Sequence, residues 1–226
     1  MSPKAALIVL EGFEGVGKST QVKMLVERLH TAGTPCVSVR EPGGTSIGNA
    51  IRDLLLDPRW VVDPATEALL FMASRAQLVH NVIRPALATG TWVVADRFFL
   101  STYAYQIAGR GLPEADIRSA NRIATNGLVP DLTLLLDLPS TEGLRRAGAR
   151  SGAHDRMERA DDGFHERVSD AFDSFLKPAW QAAHPECGPI VRIDASGTPV
   201  EVSARVDTAI AVHLPRTIVG IQGSHP

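Results

Sequence analysis

The sequence predicts an α/β fold, a doubly wound five-stranded parallel sheet. Three observations predict it. Short apolar runs alternate with segments of helical period along the 226 residues. The first run, 5–10, is apolar without alternation, as expected of a strand buried on both faces of a parallel sheet. Directly after it stands Gly12-Phe13-Glu14-Gly15-Val16-Gly17-Lys18-Ser19, a phosphate-binding loop in the strand-before, helix-after setting that its mechanism needs.

The elements follow in order. Residues 18–32 read as a helix, with Val22, Leu25, Val26 and Leu29 on one stripe and Gly33 ending it. Residues 36–39 form a second strand. Pro42-Gly43-Gly44 breaks the chain, and Thr45 caps a helix running to about residue 56. A longer helix covers 64 to about 87, with Pro85 straining its last turn. The third strand, 92–95, ends at Asp96-Arg97. Helices are expected at 101–108 and 114–126. Pro130 precedes the fourth strand, 132–136, which Asp137 closes. Residues 141–149 begin as a helix and enter an Arg- and Gly-rich stretch that lasts to 162. One helix is expected over 163–183, a fifth strand at 190–193 and a last helix at 199–213. The period ends there, so 1–213 reads as a single domain and 214–226 as a mobile tail.

Composition narrows the function. Hydrophobic content of 44% is that of an ordinary globular protein. A formal net charge of -2 speaks against a bulk nucleic-acid binder, so affinity for anions must come from local Arg and Lys clusters. Glu11 stops the first apolar run, which excludes a signal peptide there, and no stretch approaches the ~20 apolar residues of a membrane helix. Cys36 and Cys187 have neither metal spacing nor a disulfide framework, which suits a reducing cytoplasm.

In such sheets ligands bind outside the carboxyl ends of the strands. Glu14, Arg40-Glu41, Asp96-Arg97, Asp137 and Asp194 stand there. The loop glycines let successive N–H groups turn inward on a phosphate, and the helix that follows adds its positive end. Lys18 brings a full charge to the β- and γ-phosphates, and the Ser19 hydroxyl can ligate Mg²⁺. Asp96 can hold that metal directly or through water; it also reads as a turn cap or the partner of an Arg. Asp137 competes for the metal role but has no arginine beside it.

Arg40 and Arg97 follow immediately on strands two and three, which makes a clamp for a second phosphate. Arg52 and Arg75 are placed to join it. A second anion site beside a phosphate loop is what a transferase needs and a simple hydrolase does not. Arg145, Arg146, Arg150, Arg156 and Arg159 cluster with Gly148 and Gly152. They read either as a basic helix face in water or as a mobile lid, about 148–162, that closes over phosphates. Phe71 and Arg75 lie four apart and share a helix face. They could read a base, or Phe71 could simply be core.

These motifs resemble those of the thymidylate kinases, the nucleoside monophosphate kinases that phosphorylate dTMP. The matching pieces run from Glu11 through Thr20, then Arg40-Glu41-Pro42-Gly43-Gly44-Thr45 and Phe71-Met72-Ala73-Ser74-Arg75-Ala76-Gln77. Asp96-Arg97-Phe98 follows with Ser101-Thr102-Tyr103-Ala104-Tyr105-Gln106, then Pro130-Asp131-Leu132-Thr133 and the Arg-rich segment. The resemblance implies a P-loop, nucleoside monophosphate kinase-like fold with a flexible lid, and transfer of the γ-phosphoryl of ATP to dTMP. Lys18, Ser19, Thr20 and the amides of Gly12, Gly15, Val16 and Gly17 would hold the ATP phosphates and Mg²⁺, with Asp96 near the metal. Arg40, Arg52 and Arg97 would bind the dTMP phosphate.

The same resemblance assigns the base and sugar. Phe71 would stack on thymine, Arg75 would bond its O4 edge and Thr102 would contact the base. Tyr105 would pack on the deoxyribose, where a 2′-hydroxyl would clash, and Glu14 would approach the 3′-hydroxyl. Arg146 would stack on adenine, and the turn after Asp194 would complete that pocket. Some members carry an Arg at the position of Gly15. This chain looks like the bacterial kind, in which the lid supplies that charge through Arg150, assisted by Arg156. The lid departs from the family pattern at Gly148, where an Arg is often found, and over 151–154, a stretch one residue longer than in familiar members. A homodimer through helix faces is implied as well. A sister monophosphate kinase and a non-enzymatic nucleotide-binding module are the competing readings. Phe71, Arg75 and Tyr105 argue against the first; Lys18, Asp96 and the lid arginines argue against the second.

Overall fold

The computed structural model describes residues 5–148, 156–157 and 161–214. Five strands, β1 (Leu7–Glu11), β2 (Cys36–Arg40), β3 (Trp92–Asp96), β4 (Leu132–Asp137) and β5 (Ile190–Asp194), form one sheet of order β2-β3-β1-β4-β5. Every pairing is parallel. Position in the sheet explains the strand sequences. All of β1 is buried, as are the first four residues of β3 and the first five of β4, whereas the edge strands β2 and β5 each bury only their first and fourth residues. The register sets Asp96 opposite both Leu10 and Arg40, and Asp137 opposite Asp194. The charged strand ends therefore share one rim of the sheet.

Ten α-helices are described: α1 (Lys18–Thr31), α2 (Ser46–Leu56), α3 (Pro64–Leu78), α4 (Arg84–Ala88), α5 (Phe99–Thr102), α6 (Glu114–Thr125), α7 (Ser140–Gly148), α8 (Asp162–Ser174), α9 (Pro178–Ala183) and α10 (Pro199–His213). α1 buries Val22, Leu25 and Leu29 and packs beside α10. α3 lies between α2 and α6. Local chemistry sets the ends. Thr45 Oγ1 accepts the Gly48 N–H at 2.9 Å, and Thr198 and Glu201 make a reciprocal capping box at α10. Asn126 ends α6 at a φ of 48°, a left-handed turn that asparagine tolerates.

Three long helices differ from the sequence expectation. The 64–87 segment is α3 and α4 joined by a wide π turn at Val79–Ile83, where the Arg84 N–H reaches back five residues to Val79 O. The turn falls just before Pro85, which has no N–H to give. The 101–108 helix begins earlier as α5 and widens into a π segment, Tyr103–Gly109. The single helix expected over 163–183 is corrected to two. α8 ends with Phe175 at its C-cap, and Pro178 starts α9, since proline cannot continue a helix but suits a first turn. The break turns Phe175 into the core, its ring 4.5 Å from that of Trp180.

Candidate active site

Between β1 and α1 the chain curls tightly enough that the Lys18 ammonium turns back on it. Nζ donates to Gly12 O at 2.8 Å and to Phe13 O at 2.6 Å. α1 starts at Gly17 with no side-chain cap, which leaves its first N–H groups for a ligand's oxygens. Gly15 has a φ of 71°, and a Cβ built there would lie 1.9 Å from Gly143 O in α7. No side chain fits here, so no arginine could stand at position 15. Gly143 matches it from the other side: a Cβ there would meet Glu14 O at 2.5 Å.

The adjoining strand end supplies the acidic and basic groups. Ser19 Oγ donates to Asp96 Oδ2 at 2.6 Å. Asp137, the competitor for a metal role, is held by Arg192 across the β4–β5 pair. Arg97 sits at a φ of 73°, which is rare for a long side chain and marks a constrained position. Its Nη1 donates to Ser101 Oγ at 2.9 Å and to Gly12 O at 3.3 Å, and its guanidinium lies 5.2 Å over the Tyr105 ring. Glu11, fully buried, holds the turn beneath: Oε1 accepts the N–H groups of Phe98 and Ser101, and Oε2 the Ser101 hydroxyl.

One cleft of about 630 Å³ unites these groups. Its floor is the loop from Glu14 to Thr20, with Arg40, Asp96 and Arg97 at the strand ends. One wall carries Arg52, Phe71, Arg75, Thr102 and Tyr105. Phe71 is half-buried on that wall and is not a core residue. Arg52 donates to Pro42 O at 3.0 Å. The far end is closed by Arg146, which bonds Glu142 Oε1 at 2.8 Å, and by Ala195, Gly197 and Pro199 from the turn after Asp194. Gly12 lies just beneath, as the carbonyl that Lys18 and Arg97 share. Arg150 and Arg159 lie outside the described residues. Arg156 bonds Leu55 O at 2.8 Å and Glu67 Oε2 at 2.7 Å, so its charge is engaged on α2 and α3.

Arg75 is almost completely buried, and all five of its N–H donors have protein acceptors. Nε and Nη2 bond the Glu41 carboxylate, Nη2 also bonds Phe98 O at 2.7 Å, and Nη1 bonds Thr102 Oγ1 at 3.0 Å and Asn121 Oδ1. Any further acceptor must share one of these bonds. Glu41 and Thr102 line the cleft together with Arg75. Glu11, Glu41, Gln106, Asn121 and Glu67 were not assigned roles from the sequence. Glu11, Glu41 and Gln106 stood in quoted motifs without a role; Glu67 and Asn121 are polar residues buried on helices, which the sequence does not mark.

Burial and the neighbouring Arg97 lower the Lys18 pKa to about 7. Burial also pushes the Tyr105 phenol up, with Arg97 opposing, and keeps it a neutral hydroxyl. The Glu41 carboxyl is raised by the same cause against the pull of Arg75.

The cleft is floored by a phosphate loop and lined by arginines at the strand ends. Its fold and site define a phosphate-loop nucleotide kinase. Comparison with known proteins narrows the class. The family model described as thymidylate kinase matches residues 10–197. A thymidylate kinase of Synechococcus sp. (strain JA-2-3B'a(2-13)) is 50% identical over 215 residues, covering 94% of this chain and 98% of the relative. One from Deinococcus radiodurans is 45% identical, covering 90% and 95%, and one from Chlorobium chlorochromatii is 43% identical, covering 92% and 97%. The chain belongs to the thymidylate kinase family.

The lowered Lys18 pKa has a measurable consequence. Bound phosphates favour the charged ammonium and raise its pKa, so binding ATP above pH 7 must take up a proton, and affinity falls as pH rises through that range. Calorimetry of ATP binding at pH 8 in two buffers of different ionisation enthalpy should show uptake, and Lys18→Met should abolish it. Equal heats in both buffers for the unaltered protein would contradict the lowered pKa.

Proposed function

We propose how the residues of this cleft divide the work of the family's reaction. The reaction is ATP-dependent: the γ-phosphoryl group of ATP passes to dTMP, giving dTDP and ADP. The observation that carries the assignment is the single cleft lined by both the phosphate loop and the Arg40, Arg52 and Arg97 group. Donor and acceptor are both anionic, so the site must offset their repulsion and align them. Lys18 and the loop amides hold the donor phosphates. Arg40, Arg52 and Arg97 hold the acceptor phosphate, which is already ionised near pH 7 and needs no general base. Phe71, Arg75 and Thr102 receive thymine. Tyr105, within 3.4 Å of Glu14 Oε1, packs on the deoxyribose, and Glu14 faces its 3′-hydroxyl. Arg146 and the turn after Asp194 take adenine.

Ser19 Oγ and Asp96 Oδ2 are hard oxygen donors side by side in the cleft, the chemistry that Mg²⁺ prefers. They would hold that ion, Asp96 directly or through water, and the ion would neutralise charge on the ATP phosphates. Because Gly15 admits no side chain, the cation facing the transferring group in the transition state must come from elsewhere. We assign it to Arg150 of the lid, 148–162, within one domain of 1–213.

The partner is a second copy of this chain. Ile47 and Leu54 on α2, Leu69 on α3 and Ile123 on α6 are exposed, and α3 lies between the other two helices. Trp60 and Val61, in the connection from α2 to α3, extend the same apolar character. A cytoplasmic setting suits Cys36 and Cys187, both free thiols buried in the core.

Two measurements test this reading. Lys18→Ala should lower kcat for dTMP phosphorylation by at least ~10²-fold with the fold intact by circular dichroism. Activity within tenfold of the unaltered protein would remove Lys18 from the mechanism. Leu69→Glu should convert a dimer into a monomer by light scattering; an unaltered protein that is already monomeric would refute the dimer.

A further inference from the structure

Glu67 lies on α3 one turn before Phe71 and two before Arg75, so the three share a helix face. Unlike them it does not line the cleft. It is fully buried, and its carboxylate is the meeting point of three chain segments. Oε1 accepts Gln106 Nε2 at 3.0 Å, from the wide turn that also carries Tyr105. Arg110 bonds both oxygens, at 3.2 Å and 3.1 Å. Arg156, from the Arg-rich segment, pairs with Oε2 at 2.7 Å.

The same arginine is tied to α2 as well. Its N–H bonds Leu56 O at 3.1 Å and its Nε bonds Leu55 O at 2.8 Å. These are among the last carbonyls of α2, which the helix itself cannot satisfy and beside which a cation is favoured. α2 carries Arg52 one turn earlier. The next residue, Met157, is buried and lines the cleft, as does Gln106.

We infer that Glu67 is a positioning residue that anchors the C-terminal arm of the Arg-rich segment to the acceptor half of the cleft, through Arg156, while orienting Gln106 on the acceptor wall. The inference rests on the dTMP-phosphorylating reading given above. Its logic is electrostatic. A fully buried carboxylate needs partners, and two guanidinium groups converge on this one. Removing the carboxylate charge leaves Arg110 and Arg156 as neighbouring cations with no anion between them, so Arg156 leaves and takes Met157 with it. Gln106 loses the acceptor that decides which end of its amide faces the cleft. Both losses fall on the acceptor side; among the described residues, the hydrogen-bond and ion-pair partners of Glu67 are Gln106, Arg110 and Arg156, none of them on the phosphate loop or α7. Arg156 is then the anchor of the segment, and its charge does not act on the transferring group.

The test is steady-state kinetics of the full chain with ATP and dTMP for Glu67→Gln, Arg156→Met, Arg156→Lys and the Glu67→Gln/Arg156→Met double variant, each with a thermal melt. Glu67→Gln and Arg156→Met should each raise the dTMP KM at least tenfold and leave the ATP KM within twofold. The double variant should be no worse than the poorer single variant, because both remove one interaction. Arg156→Lys should recover most of the loss. Should Glu67→Gln fail to fold, the Arg156→Met and Arg156→Lys pair reads the same split. Equal shifts in both KM values, multiplicative losses in the double variant, or a normal dTMP KM would overturn the proposal. An unaltered protein that does not phosphorylate dTMP would instead overturn the functional reading beneath it.

Discussion

The buried Arg75 guanidinium is the joint on which the acceptor side of the cleft depends. It ties the end of β2 through Glu41, the turn after β3 through Phe98 O, α5 through Thr102 and α6 through Asn121, and it lies 4.8 Å over the Phe98 ring. Breaking a buried ion pair by removing one member costs about 3–5 kcal/mol. Arg75→Ala would therefore perturb the wall and not only its contact with a base. These contacts are made among the protein's own groups, which reduces what binding must spend on ordering side chains.

The donor side is governed by a different constraint, the close approach of two backbones. Gly15 and Gly143 pack the phosphate loop against α7 with no room for a Cβ on either. This contact keeps any side chain off position 15 and joins the loop directly to the helix that leads into the Arg-rich segment. Two devices thus flank the cleft: a glycine contact on the donor side, and the Glu67–Arg156 pair on the acceptor side.

The sheet was readable because its physics is periodic. An unbroken apolar β1 and the charges closing each strand announce central burial and a polar rim, and the structure has both. Helix boundaries were readable at some caps and prolines, as at Thr45 and Pro199. The break at Pro178 was missed because the apolar pattern runs across it, and the two π segments because they preserve helical burial while changing only the hydrogen-bond step. The left-handed Arg97 and the partners of Glu11, Glu41 and Glu67 could not be read. Each depends on contacts between residues far apart in the chain, which have no period. The phosphate loop and the arginines of the strand ends were found because motif and position coincide there. The partner of Arg156 was not, since an arginine in a basic segment looks the same whether it faces a phosphate or a buried carboxylate.

The central claim is that this cleft accepts thymidine monophosphate because Phe71, Thr102 and Tyr105 shape one wall around a pyrimidine deoxynucleotide. The most direct measurement is kcat/KM for phosphoryl transfer from ATP to dTMP, UMP, dCMP and dAMP under one set of conditions. The account predicts that dTMP exceeds each of the others by at least ~10²-fold, the discrimination that unpaired buried polar groups and a steric clash can supply. A purine or cytosine nucleotide used as well as dTMP would contradict it.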